Sequence, residues 1–296
     1  MTAERSRERA LAGLVESGLA EDVGDGDRTT LWTVPVGTIS RATVVAKEPL
    51  VVAGLEAAVR VFQEVDPSLE VTLRAEEGEG VDRNRVVLEL HGSARSLLTA
   101  ERTALNFLGR LSGIATLTRS FVMAAEGTPA RITDTRKTTP GWRELEKAAV
   151  RAGGGVNHRM GLHDMVLVKE NHIAAAGGIE SAVDAVRRAN REGLSVEVEV
   201  RSLDELERLR GRPVDRVLLD NFPTAALKKA VDRVEKWPAP RPELEASGNM
   251  TLDRIPEVAA LGVHWISVGA LTHSAPVADF SLLMEGIPGE GPGGDG

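Results

Sequence analysis

From about residue 130 onward the chain repeats one pattern. A short apolar run ends in a polar residue or glycine at Asp134, Lys169, Glu199, Asp220, Ser247-Gly248 and Gly269, and helical segments fill most of the gaps. Steps of about 20 to 35 residues suit successive βα units, each a parallel strand followed by its crossover helix. Six or so such units imply a barrel or a doubly wound sheet. In both architectures reactive residues gather at the carboxyl ends of the strands, where these polar residues fall.

The N-terminal third has a different texture. Helical patterns over residues 10–19 and 55–65 alternate with strand patterns over 39–46 and 86–90, which predicts an α+β domain built on a largely antiparallel sheet. A long helix follows over residues 96–117, in which Leu98, Leu105 and Leu108 recur at helical spacing and Arg102 lies on the same face. Either the arginine packs its stem and keeps its head in water, or it reaches a ligand. The pattern alone leaves both open. After Gly269 one more helical turn is predicted over 279–284, then a tail over 289–296 too poor in apolar groups to order itself.

Composition removes several classes of function. The 296 residues carry a net charge of -8, which argues against a sequence-independent grip on nucleic acid. No stretch approaches a membrane span, and the first nine residues lack the apolar core of a signal peptide, so a cytoplasmic protein is expected. With no cysteine, any metal must be held by oxygen or imidazole, and magnesium fits best. There is no Walker loop and no dinucleotide-binding glycine pattern. The cluster Gly153-Gly-Gly155 marks a bent loop and is weak as a phosphate signal by itself.

Within this acidic chain, residues 134–169 form a basic island where seven cations face four carboxylates. Arg143 and Lys147, one helical turn apart and flanked by Glu144 and Glu146, fit a solvated helix face. The others sit at predicted strand ends or in loops: Arg136 and Lys137 after the strand 130–134, Asn157-His-Arg159 after the glycines, and Lys169 at the end of 165–168. Cations converging on one barrel mouth point to a substrate with more than one negative group.

Carboxylates enter further on. In Val196-Glu-Val-Glu-Val200 the period of two puts Glu197 and Glu199 on one face, and a strand covered outside by helices would turn them into the barrel. Asp220 ends the next run. Two carboxylates beside such cations suit a magnesium-bound phosphate ligand, with a structural salt-bridge network as the alternative. Small residues at Ser247-Gly248 and Ser267-Val-Gly269 offer backbone N–H groups where barrels bind phosphate. His158, His172 and His273 lack the spacing of a zinc pair, so hydrogen bonding is the expected role.

Several runs are similar to quinolinate phosphoribosyltransferases: Glu21-Asp-Val-Gly-Asp-Gly-Asp27, Glu101-Arg-Thr-Ala-Leu-Asn-Phe-Leu108, Leu111-Ser-Gly-Ile-Ala115 and Asp134-Thr-Arg-Lys-Thr-Thr-Pro-Gly141. Gly153-Gly-Gly-Val-Asn-His-Arg159, Leu219-Asp-Asn-Phe222 and Ser267-Val-Gly-Ala-Leu-Thr-His273 continue the match, which extends to about Met284. Trp142 and Ala148 depart from it, standing where leucine and tyrosine are common. The resemblance implies an α/β fold: an N-terminal α/β sandwich domain (1–111 with 271–286), an incomplete, open α/β barrel (112–270) and a disordered tail (287–296). It also implies a homodimer in which Arg102 reaches the partner's quinolinate. Thr135, Arg136, Lys137, His158, Arg159 and Lys169 match quinolinate-binding positions. Lys137, Lys169, Glu199, Asp220, Ala246, Ser247, Gly248, Ser267, Val268 and Gly269 match positions around phosphoribosyl pyrophosphate, and Glu199 and Asp220 its magnesium, held directly or through water.

The activity so implied is phosphoribosyl transfer to quinolinate with decarboxylation, with Glu199 and Asp220 stabilising the cationic sugar and Lys137 attending the carbon that loses carbon dioxide. The rivals are a same-fold relative linked to molybdate transport, a phosphorylated-ligand binder without turnover, and a Schiff-base enzyme using Lys169.

Overall fold

The computed structural model describes residues 3–285, so the expected tail over 287–296 lies outside the described residues. The described residues divide into two compact units, one comprising 3–117, 139–153 and 275–285, the other 118–138 and 154–274.

The first unit is built on β1 (Ile39–Ala46), β3 (Glu70–Leu73), β5 (Val86–Ser93) and β12 (Phe280–Met284), which form a four-stranded antiparallel sheet in the order β12-β1-β5-β3. The short strands β2 (Leu50–Val51) and β4 (Gly80–Val81) pair separately. Alternation fixes the register: Ala42 faces Leu90 and Val44 faces Leu88 across β1 and β5, and all four are buried. The helix Leu55–Val65 buries Leu55, Ala57, Ala58, Val61 and Phe62, the stripe its spacing predicts.

Two elements of this unit differ from expectation. Residues 280–284 are a strand, with Ala46 facing Phe280 and Ala42 facing Met284, against the helical turn that the pattern predicts. A five-residue apolar run has no decisive period, and an open edge of β1 decides it. Lys147, expected on a solvated face, is fully buried together with Glu146 in the helix Arg143–Ala152. Glu146 accepts from Arg110 at 2.6 Å and from the Thr139 hydroxyl at 2.8 Å, partners that local spacing cannot reveal. Trp142, which opens this helix, stacks on Phe107 with ring centres 4.8 Å apart.

These contacts explain why 139–153 belongs to the first unit, whereas the domain bounds implied by the resemblance place it in the barrel. The helix Ala94–Ala124 also runs unbroken past the expected boundary at residue 111.

The second unit is built on β6 (Arg131–Thr133), β7 (Val166–Val168), β8 (Val196–Val200), β9 (Arg216–Asp220), β10 (Glu243–Ser247) and β11 (Trp265–Ser267). They form a six-stranded parallel sheet in the order β6-β11-β10-β9-β8-β7. β6 and β7 stand at opposite ends of that order, so the barrel is open. Val156 adds a single parallel bridge to Thr133 on the β6 side. At the strand starts the indole of Trp265 lies under two guanidiniums, Arg131 at 4.7 Å and Arg216 at 4.0 Å from its centre. Its N–H donates to Glu243 at 2.6 Å, so the floor of the unit is closed by paired polar groups.

Candidate active site

The parallel register brings the predicted strand-end residues into one row. Asp220 pairs with Ser247, Ser247 with Ser267, and Ser267 with Thr133, across four neighbouring strands. Ala246 and Val268 are buried, and the Val268 backbone N–H is already taken by Thr133 O at 2.9 Å. Glu199, on β8, is 10% exposed at its side chain, and its carboxylate lies 3.2 Å from Nζ of Lys169.

Two tight turns complete the row. Asn221 takes φ of 55° and donates to the Asp220 carboxylate at 2.9 Å, while its backbone N–H donates to Ser247 O at 2.9 Å. Gly248, at φ of 92°, comes so close that a Cβ there would sit 2.1 Å from Oδ1 of Asn221. Only glycine fits this approach. Arg254 ties the turns together through Gly248 O and Phe222 O, a role with no signal in the local pattern.

The cationic side is anchored by a buried acid. Asp134, fully buried at the end of β6, accepts from His158 N at 2.8 Å and from Asn157 Nδ2 at 2.6 Å. It thereby fixes the loop that carries Arg159. Burial, and then the neighbouring Arg136, pulls the Arg159 guanidinium below its ordinary range, with Glu197 and Asp164 opposing. Two guanidiniums held near each other form a natural seat for a dianion. Lys137 is exposed; its backbone N–H is held by Thr135 Oγ1, and its carbonyl accepts from the Thr272 hydroxyl at 2.8 Å. Gly269 lies against the Lys137 stem, where a Cβ would approach to 3.2 Å. Arg102 is exposed on the first unit.

Below this row sits a layer to which the sequence pattern assigns no role. Glu197 and Glu245 are fully buried, with His158 Nε2 2.9 Å from one and 3.6 Å from the other. Arg216 donates to Glu245 at 3.0 Å. Burial, and then the charge of Glu197, pushes the Glu245 carboxyl up to about 7, and burial also raises Glu197. The available signal is the period of two: Glu245 stands two residues before Ser247, and Glu197 two before Glu199.

Among known proteins, the profile of the quinolinate phosphoribosyl transferase N-terminal domain matches residues 27–112 and that of the C-terminal domain matches 114–283. A nicotinate-nucleotide pyrophosphorylase (carboxylating) of Mycobacterium leprae is 45% identical over 90% of this chain and 95% of its own. A quinolinate phosphoribosyltransferase (decarboxylating) of Nicotiana tabacum is 41% identical over 93% of this chain and 82% of its own. Among solved structures, the nicotinate-nucleotide pyrophosphorylase of Francisella tularensis superposes with a TM-score of 0.87 at 38% identity, covering 94% of this chain and 96% of that one. With both halves matched and relatives aligned along nearly their whole length, the chain belongs to the quinolinate phosphoribosyltransferase family.

Proposed function

We infer that this protein transfers the phosphoribosyl group of phosphoribosyl pyrophosphate to quinolinate with decarboxylation, giving nicotinate mononucleotide, carbon dioxide and pyrophosphate, a step of NAD biosynthesis. Family membership supports the reaction. The observation that carries the site is the Lys169 ammonium held 3.2 Å from the Glu199 carboxylate, a cation and an acid brought together at the ends of the paired strands β7 and β8.

Quinolinate carries two carboxylates on a pyridine ring, and the Arg136 and Arg159 guanidiniums, with Thr135 and Lys169, hold them. The ring nitrogen then faces C1 of the ribose. As the bond to pyrophosphate lengthens, positive charge develops on the sugar, and Glu199 and Asp220 stabilise it from fixed positions. The pyrophosphate and ribose phosphate oxygens meet the turns that follow β10 and β11, at Ser247-Gly248 and at Gly269. After carbon dioxide leaves C2, the electron pair left there takes up one proton, and Lys137 is the candidate to manage that charge.

Magnesium fits this donor set: Glu199 and Asp220 supply hard oxygen ligands on adjacent strands, and substrate phosphates supply the others. A magnesium ion held by these residues would supply positive charge to offset the charge of the departing pyrophosphate. The reading also includes a homodimer in which Arg102 of one subunit completes the quinolinate pocket of the other, and a cytoplasmic location. Among the described residues no helix is long and apolar enough to cross a membrane. Incubating the protein with quinolinate, phosphoribosyl pyrophosphate and magnesium should yield nicotinate mononucleotide and pyrophosphate. Absence of both products in a folded preparation would overturn the reading.

A further inference from the structure

The imidazole of His158 stands between the cationic loop and the buried carboxylates, and both of its nitrogens are already in use. Nδ1 accepts the backbone N–H of Arg159 at 2.8 Å. A backbone amide cannot surrender its proton, so Nδ1 carries a lone pair and the ring proton sits on Nε2. That proton points at Glu197, 2.9 Å away. The side chain is only 7% exposed, and Asp134 holds its backbone N–H from the other direction at 2.8 Å. Nothing on this ring is left to offer a substrate carboxylate without breaking a bond already made.

We propose that His158 is a positioning residue: Glu197 fixes the ring with its proton on Nε2, Nδ1 holds the backbone of Arg159, and the imidazole itself does not touch quinolinate. The proposal rests on the quinolinate reading given above. Its consequence is that the aim of the Arg159 guanidinium, which is further held by Met165 O at 3.2 Å, is set from beneath by a side chain on β8.

His158, Glu197 and Glu245 also bring three metal-capable atoms within 4.8 Å of one another. An ion there would need the Nε2 lone pair, and the ring proton would then move to Nδ1, facing the Arg159 N–H donor to donor. The geometry therefore favours a shared proton over a cation.

The test uses the unmodified protein labelled with 15N-histidine, with the His158 signals assigned by their loss in His158→Asn. Long-range proton–nitrogen correlation at neutral pH should show Nε2 protonated and Nδ1 unprotonated, and the pattern should persist when quinolinate saturates the site. A ring protonated on both nitrogens, protonated on Nδ1 alone, or switching form when quinolinate binds would overturn the proposal. Calorimetry with quinolinate alone separates the two readings: no binding sinks the substrate assignment, while the ligand-free spectrum still decides the state of the ring. In steady-state assays His158→Leu should raise the quinolinate KM by about tenfold or more, and His158→Asn, whose Oδ1 replaces the Nδ1 acceptor, should recover most of that loss. Equal damage from both variants would count against the positioning role.

Discussion

The carboxylate of Glu146 lies 2.6 Å from Nη2 of Arg110 and is wholly shielded from solvent. The same carboxylate caps the Thr139 backbone N–H at 3.0 Å and takes the Thr139 hydroxyl at 2.8 Å. Removing it takes the carboxylate partner from a guanidinium whose side chain is only 22% exposed. Glu146→Ala should therefore cost about 3 kcal/mol in chemical denaturation, near the lower end for breaking a buried pair. A loss under about 1 kcal/mol would mean the pair behaves like a surface bridge.

Gly113 carries a different kind of constraint. A Cβ on it would lie 1.9 Å from the carbonyl oxygen of Pro276, so the returning chain crosses the long helix in backbone contact. Gly113→Ala should lower stability by about 3 kcal/mol or more, since two stretches of backbone must separate. Gly13, a helical glycine with nothing within 4 Å of an added Cβ, is the control. There Gly→Ala should stabilise by about 0.5 to 1 kcal/mol, and a shift of the same sign at both positions would refute the contrast.

These two sites mark where sequence reasoning reaches its limit. The βα rhythm is legible because each strand of the second unit runs up to a polar residue or glycine, and the structure ends those strands at Thr133, Val168, Val200, Asp220, Ser247 and Ser267. Local pattern cannot show that Glu146 and Lys147 are covered, because their covering comes from residues distant in the chain. It also cannot choose between helix and strand for 280–284, whose conformation is decided by β1. The period of two does place Glu197 inside the barrel, but its partner His158 lies 39 residues away and only the fold joins them.

The proposed shared-site dimer makes a quantitative prediction. Arg102→Ala and Arg136→Ala should each be inactive alone. If every site draws Arg102 from one subunit and Arg136 from the other, mixing the two variants under exchange creates hybrids with one intact site. Random pairing in equal amounts then recovers about a quarter of the unmodified activity. No recovery, from mixtures shown by native mass spectrometry to contain hybrids, would place both arginines in the same subunit's site.

Glu199 is held by Lys169 at 3.2 Å and, in the proposed reaction, stabilises the cationic ribose. Glu199→Gln preserves its size and removes its charge, so the loss should fall on the chemical step. A drop in kcat of about a hundredfold, with the KM for quinolinate little changed, is expected for a fixed charge acting on the transition state. If KM rose while kcat held, Glu199 would be acting in binding alone.

Glu245 should leave a mark on the stability profile against pH. Its carboxyl is raised from an ordinary value of 4.5 to about 7, first by burial and then by Glu197 beside it. The unfolded chain gives up this proton near pH 4.5, whereas the folded chain keeps it to about pH 7. Between these values the folded state binds more protons, so stability falls as pH rises, and above about pH 7 the full cost is in place. Its size is about 3 kcal/mol, at roughly 1.4 kcal/mol for each pKa step. Glu245→Gln mimics the protonated acid and keeps an oxygen for Arg216. The variant should match the unmodified protein near pH 5 and exceed its stability progressively toward pH 8. Urea denaturation at several pH values measures the difference directly, and a difference that stays constant from pH 5 to 8 would show that the buried acid is already ionised at the lower end.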